Sequence, residues 1–384
     1  MAGEVVLNEA GALLRTRAAT LIRETVAAID ALDEIEPEAL RARVQVRLVA
    51  DLEGRLREVR KLVDGQADVP LDRAWSDLSY HRVRLNDLFE ETLALMEGAA
   101  LRRSWQDGGC RLADRLADEI SVLTPEKWNA FTVLDTEEFY AGSTRVIRVR
   151  FPGDGFWDLP IVAHEFGHFA GPKIIDIEDE SVHPLAEKLK EVGEETPAHW
   201  PWLHESFADI FATYAVGPAY GLVCALDRFD PAAADQDNDT HPAPNTRLAL
   251  ILGTLAVCDD GQNYGRVMEK IRAVWAVQTG EAGSEGKIEL REPFDQWLDF
   301  SLRLLRDRLP SAMYKGWVRT ADLSRLLGGD ARAEATDWSL RDIVNAAWRA
   351  RIRENGDAPG WIAQRACALA ESRLLEVRHV RAPR

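Results

Sequence analysis

Two textures of hydrophobic and polar positions run along this chain, and they predict different elements. Val44, Leu48, Leu52, Leu56, Val59 and Val63 recur every three or four residues, the stripe of an amphipathic helix. Leu21, Val26 and Ile29 before them, and Leu85, Leu88, Phe89 and Leu93 after them, predict further helices. An antiparallel helical bundle over residues 1–125 is the simplest way to bury these stripes. The texture changes at Thr124-Pro125. Residues 131–134 read as a short strand. Residues 145–151 read as a longer one, with Ile147, Val149 and Phe151 alternating with Arg148 and Arg150. The exposed edge of that strand is expected to hold an extended peptide through main-chain hydrogen bonds.

Pro152-Gly153-Asp154-Gly155 then turns the chain into a helix over 156–170. A short helix is expected over 184–192. A second long one covers 200–216 and stops at Gly217-Pro218. Residues 230–245, rich in Asp, Asn, Ala and Pro, read as a loop, and helices resume at Thr246. The Gly- and Glu-rich stretch 280–286 reads as a linker. It separates a central region (126–280) from a helical C-terminal region (281–384) that ends in a basic tail around Arg378 and Arg381.

Composition narrows the picture. A length of 384 residues with 46% hydrophobic content supports two or three packed units. The net charge of −17 argues against nucleic-acid binding and against adsorption to anionic membranes. No run approaches the ~20 apolar residues of a spanning helix, and the longest candidate, 248–258, reads as a core helix. Met1-Ala2-Gly3-Glu4 carries no basic n-region leading into an apolar core, so no signal peptide is expected. Cys110, Cys224, Cys258 and Cys367 form no C-x-x-C pair and read as reduced thiols. These features together predict a soluble cytoplasmic protein, and the abundance of Ala, Arg and Asp hints at a GC-rich bacterial genome.

The chemistry sits at His164-Glu165-Phe166-Gly167-His168, an H-E-x-x-H motif in a chain with only 8 histidines. On a helix, positions i and i+4 share a face, so both imidazoles reach one ion. Glu165 lies beside that face, where a carboxylate takes a proton from water. A zinc hydrolase is the favoured reading. A catalytic zinc needs a third protein ligand and an open position. The extended form H-E-x-x-H-x-x-G-x-x-H fails, because Ile174 stands at its last position. Glu205-Ser206-Phe207-Ala208-Asp209 on the second long helix offers two carboxylates at i,i+4. One can bind metal while the other accepts the ring N–H of a ligand histidine. Ala208 and Ala212 are small enough to let the two helices approach closely. At the end of the polar loop stands Thr240-His241-Pro242-Ala243-Pro244-Asn245-Thr246-Arg247. A histidine there can donate to the oxyanion of an attacked carbonyl, and Arg247 is placed to anchor the loop through a carboxylate.

H-E-x-x-H, then E-x-x-A-D-x-x-A, then T-H-P-x-x-x-x-R resembles the gluzincin metallopeptidases. Order and third motif look most like the CAAX-prenyl-protease type. The resemblance spans His164 to Arg247 and carries the catalytic core, not membrane location or prenylated substrates. It implies that His164, His168 and Glu205 bind Zn2+, that Glu165 is the general base and that Asp209 supports a ligand histidine. It implies too that His241 stabilises the transition state.

The fold class expected is therefore α+β and mostly helical. A zincin-like core, made of a small sheet with an edge strand and two metal-binding helices, lies between helical N- and C-terminal regions. The function expected is zinc-dependent hydrolysis of peptide or protein substrates. Endopeptidase action is preferred because of the 145–151 edge. The alternative is a catalytically inactive, zinc-stabilised binding or regulatory protein. Around the motif, His204 points about 100° away from Glu205 on the helix and is not expected as a ligand. His183 and His199 fall in the connection, at the surface or the rim of a cleft. Trp157, Trp200 and Trp202 offer either a hydrophobic pocket or core packing.

Overall fold

A computed structural model describes residues 2–36, 38–64, 70–104, 109–124, 132–135, 139–141, 146–150, 155–176, 179–197, 199–280, 288–290, 292–329, 338–353 and 360–381. The chain is mostly helical and forms two compact units. The first comprises residues 1–106, 133–137 and 141–151; the second comprises 107–132, 138–140 and 152–384.

Among the described residues, four helices build the first unit: α1 (Ala2–Asp33), α2 (Glu38–Val44), α3 (Ala50–Val63) and α4 (Leu71–Ser104). A π-helical turn, Gln45–Val49, joins α2 to α3. Val44, Leu48, Leu52, Leu56 and Val59 are all buried, as their spacing predicts. Asp51 and Glu53 in the first turn of α3, and Arg60 and Lys61 in its last, complement the helix dipole. On α4 the expected stripe is broken: Leu85 is buried but Leu93 is 59% exposed.

Three short strands, β1 (Thr132–Asp135), β2 (Phe139–Ala141) and β3 (Val146–Arg150), pair in the order β1-β3-β2. The strand expected to present a free edge is thus the inner one. Its main-chain groups face strands on both sides, so it offers no place for an added peptide strand. The three-residue β2 is too short to leave an alternating pattern in the sequence.

The second unit contains α5 (Gly109–Ser121), α6 (Ile161–Ala170), α7 (Pro184–Glu195), α8 (His199–Val216), α9 (Pro218–Val223), α10 (Pro244–Val257), α11 (Gly265–Gln278), α12 (Phe294–Arg308), α13 (Thr320–Leu327), α14 (Leu340–Arg353) and α15 (Gly360–Arg381). The helices after residue 288 pack in the same unit as the motif region, and α5 joins them rather than the N-terminal bundle. The expected linker at 280–286 falls almost wholly outside the described residues.

Helix α8 is central. Every residue from Ser206 to Val216 is buried, the pattern of a helix surrounded on all sides, and α6, α7, α10 and α12 pack around it. Helix α6 begins only at Ile161, later than its apolar pattern suggests, because Pro160 has no N–H to donate and opens the helix. Gly167 sets the α6–α8 separation: a Cβ there would lie 3.1 Å from the Ala208 Cα. Ala208 and Ala212 are fully buried in that close contact. Gly217, with φ of 80°, ends α8 in the left-handed region. A Cβ on it would lie 2.5 Å from the Tyr314 ring. Pro218 then starts α9. No described helix is long and apolar enough to cross a membrane.

Candidate metal centre

Helices α6 and α8 bring His164, His168 and Glu205 to one point. His164 Nε2 lies 3.2 Å from Glu205 Oε2 and 3.2 Å from His168 Nε2. His168 Nε2 lies 3.3 Å from Glu205 Oε1. These three side chains form a group able to hold a metal ion, with His164 buried and the other two half-buried. The two histidines share a face because they are i,i+4 on α6, and the close α6–α8 contact at Gly167 lets the short Glu205 side chain reach them.

Asp209, one turn beyond Glu205, lies behind His164. Its Oδ1 is 3.1 Å from His164 Nδ1. Arg247, at the start of α10, grips it with two parallel bonds: Nε donates to Oδ2 at 2.7 Å and a terminal guanidinium N–H to Oδ1 at 2.8 Å. The Arg247 guanidinium also lies over the Phe229 ring, 5.0 Å from its centroid. Arg247 therefore anchors through a carboxylate, as its position suggests, and the carboxylate is Asp209.

Glu165 is 6% exposed. Among the described residues it makes no hydrogen bond or ion pair, so its carboxylate remains available to water.

His241 comes from the loop before α10. Its Nε2 is 3.2 Å from Glu205 Oε2, on the more open side of the cluster, where the side chain is 39% exposed. The loop is tightly knit. Asn238 Oδ1 accepts from the backbone N–H groups of Thr240 (2.9 Å) and His241 (2.7 Å). The His241 carbonyl accepts from the Asn238 N–H at 3.0 Å. Trp202 Nε1 donates to the Asn238 carbonyl at 2.7 Å, tying the loop to α8.

The other aromatic candidates divide. Trp157 belongs to the core, 5% exposed and edge-on to Trp348. His204 lies beside His168 (ring centroids 4.6 Å apart) and stacks on Trp200, which is 44% exposed. His199 stacks on Trp202, and His183 precedes α7. One contact had no signal in the sequence. Tyr220 of α9 places its hydroxyl 3.0 Å from His164 Nδ1 and donates to Asp209 Oδ1 at 2.5 Å. A lone tyrosine in the apolar run Pro218–Val223 reads as core.

The electrostatics of the bare chain are those of tightly coupled ion pairs. Burial opposes charge on His164, but Asp209 and Glu205 outweigh it and push its pKa up to about 10. Burial would raise Glu205, yet hydrogen bonds from His164, His168 and His241 hold it far below the carboxylate range. Asp209 is held low against its own burial by Arg247 first and His164 second. Burial, then the neighbouring His168, pushes His204 down to about 4. Converging acceptors of this kind take up either protons or a cation, and a divalent ion would displace the protons. Neither a protein-family model, nor a curated protein, nor a solved structure matches this chain.

Proposed function

We propose that the protein is a zinc-dependent peptidase whose metal is held by His164, His168 and Glu205. The observation that carries this reading is the spacing of the three donors. Ligands about 2.0–2.2 Å from a tetrahedral ion lie about 3.3 Å or slightly more from one another. The two Nε2 atoms are 3.2 Å apart, and the Glu205 carboxylate straddles them, Oε2 at 3.2 Å from His164 and Oε1 at 3.3 Å from His168, so that one atom of each side chain lies within 4.8 Å of the others. Two imidazole nitrogens and one carboxylate are a donor set suited to zinc, and three protein ligands leave a position for water. When bound, such an ion lowers the pKa of a water and polarises a carbonyl.

The chain's own groups supply the rest. Glu165, buried and uncommitted, takes a proton from the attacking water and passes it to the leaving amine. His241 faces the cluster from the open side. Because the Glu205 carboxylate only accepts, His241 Nε2 carries a proton toward the site. The Thr240 hydroxyl, 2.7 Å from His241 Nδ1, holds the opposite edge of the ring. That polarity suits a donor to the oxyanion formed as the carbonyl is attacked. Asp209 and Arg247 fix the ring of His164 from behind. The endopeptidase preference is not part of the proposal, since β3 has no free edge.

The test is Glu165→Gln in the full-length protein, assayed on unfolded protein substrates alongside metal analysis. Hydrolysis should fall by at least about a hundredfold while one zinc per chain is retained. Turnover that survives the substitution would overturn Glu165 as the base. Zinc without turnover in the wild-type protein would favour the inactive binding protein instead.

A further inference from the structure

We infer that Tyr220 is a positioning residue for the metal: its phenol fixes the tautomer and the ring plane of His164. This rests on the metal site proposed above and assigns it a component outside the three sequence motifs.

The argument is one of donors and acceptors. Asp209, ionised, only accepts, and its Oδ1 already receives the Arg247 guanidinium at 2.8 Å. The Tyr220 hydroxyl has one proton, and at 2.5 Å from Asp209 Oδ1 that proton is committed. Toward His164, 3.0 Å away, the phenol oxygen is then an acceptor. His164 Nδ1 thus faces two acceptors, Oδ1 at 3.1 Å and the phenol at 3.0 Å, and must carry the ring's N–H. With the N–H held on Nδ1, Nε2 is the nitrogen that can present a lone pair to an ion in the ligand cluster, once that ion displaces the proton Nε2 shares with Glu205 Oε2. Asp209 alone would allow the ring to tilt about a single bond. Two acceptors on one N–H define a plane, and the Tyr220 ring lies nearly parallel to the imidazole, 12° apart at a centroid distance of 6.1 Å.

The fold holds Tyr220 in that place by a corner of its own. Gly217 turns the chain back after α8, and Asn345 of α14, fully buried, clasps both arms of the turn. Its Nδ2 donates to the Val216 carbonyl at 2.6 Å and its Oδ1 accepts from the Ala219 N–H at 3.0 Å. Tyr220 itself is 1% exposed, so its hydroxyl has no exchange with bulk water to compete for the bond.

The test compares wild type, Tyr220→Phe and Tyr214→Phe. Tyr214 is an equally buried tyrosine whose hydroxyl faces the Leu305 and Leu309 carbonyls, away from the cluster. Zinc affinity is read by competition with a chromophoric chelator, and site geometry by the visible spectrum of the cobalt(II)-loaded protein. Tyr220→Phe should weaken zinc about tenfold, within the usual range for lost support of a ligand histidine. It should also alter the cobalt spectrum, whereas Tyr214→Phe should do neither. Unchanged affinity and spectrum in Tyr220→Phe would overturn the role while leaving the metal site standing. Equal losses in both variants would mark a general effect of removing a buried hydroxyl and overturn it too. A wild-type protein that binds neither ion would overturn the metal reading and this role together.

Discussion

The two histidines of the motif are held in opposite ways. His164 is oriented by directional bonds: Asp209 and Tyr220 face its Nδ1, and Arg247 fixes Asp209 in turn. Among the described residues, His168 Nδ1 is buried with no hydrogen-bond partner. Beyond the Nε2 contact to Glu205 Oε1, its ring is placed by shape, flanked by the rings of His164 (centroids 4.8 Å) and His204 (4.6 Å), with Trp200 behind His204. A ligand fixed by hydrogen bonds keeps its orientation through small shifts of its neighbours, because the bonds specify angle as well as distance. A ligand fixed by packing keeps it only while the neighbouring volume is filled. The site therefore has a stiff half and a compliant half, joined by Glu205.

Breaking the junction should have the largest effect. Glu205 contacts His164, His168 and His241, so Glu205→Ala removes a proposed ligand and leaves three histidines facing a void. Zinc content, measured on protein purified without added metal, should fall from one per chain to near zero. Full retention of zinc in this variant would mean that another residue completes the coordination.

Next comes the stiff half. Arg247→Met removes the two bonds that balance the buried Asp209 charge. Breaking a buried pair by deleting one partner costs ~3–5 kcal/mol. Losing the support of a ligand histidine costs about 10- to 100-fold in metal affinity. Both losses are expected together: a lower melting temperature for the metal-free protein and weaker zinc binding. A variant that melts with wild type would show that Tyr220 and His164 suffice to hold Asp209.

This division was only partly legible in the sequence. His164, Glu165, His168, Glu205 and Asp209 lie in short motifs whose spacing follows from helical periodicity, His241 and Arg247 in a loop motif read through its resemblance, and the structure gathers all of them except Glu165 through contacts it displays directly. Tyr220 was not legible, because its place depends on the Gly217 corner and on Asn345, more than a hundred residues later. The pairing of β3 was hidden for the same reason: its neighbour β2 is too short to show a period of two. The extent of the first unit was blurred because α5 carries an amphipathic pattern like those of the bundle, with Cys110, Leu112, Ala113, Leu116 and Ile120 buried. Periodicity identifies a helix and its buried face, not the unit that covers it.

The compliant half gives the smallest effect and the sharpest contrast. Burial and the neighbouring His168 keep His204 neutral at neutral pH, with its pKa pushed down to about 4. It lies outside the group of possible ligands, so its contribution is the volume of its ring. His204→Ala opens that volume beside His168, and an imidazole with no bond at Nδ1 gains freedom to rock about its side-chain torsions. Zinc affinity should weaken a few-fold, less than for Tyr220→Phe. His204→Phe refills the space with a ring that stacks on Trp200 and has no nitrogen, so it should recover near wild-type affinity. No such rescue is available on the other side, where a hydrocarbon cannot replace an acceptor. Were Phe as damaging as Ala at position 204, His168 would depend on the His204 nitrogens, and the contrast between the two halves would collapse.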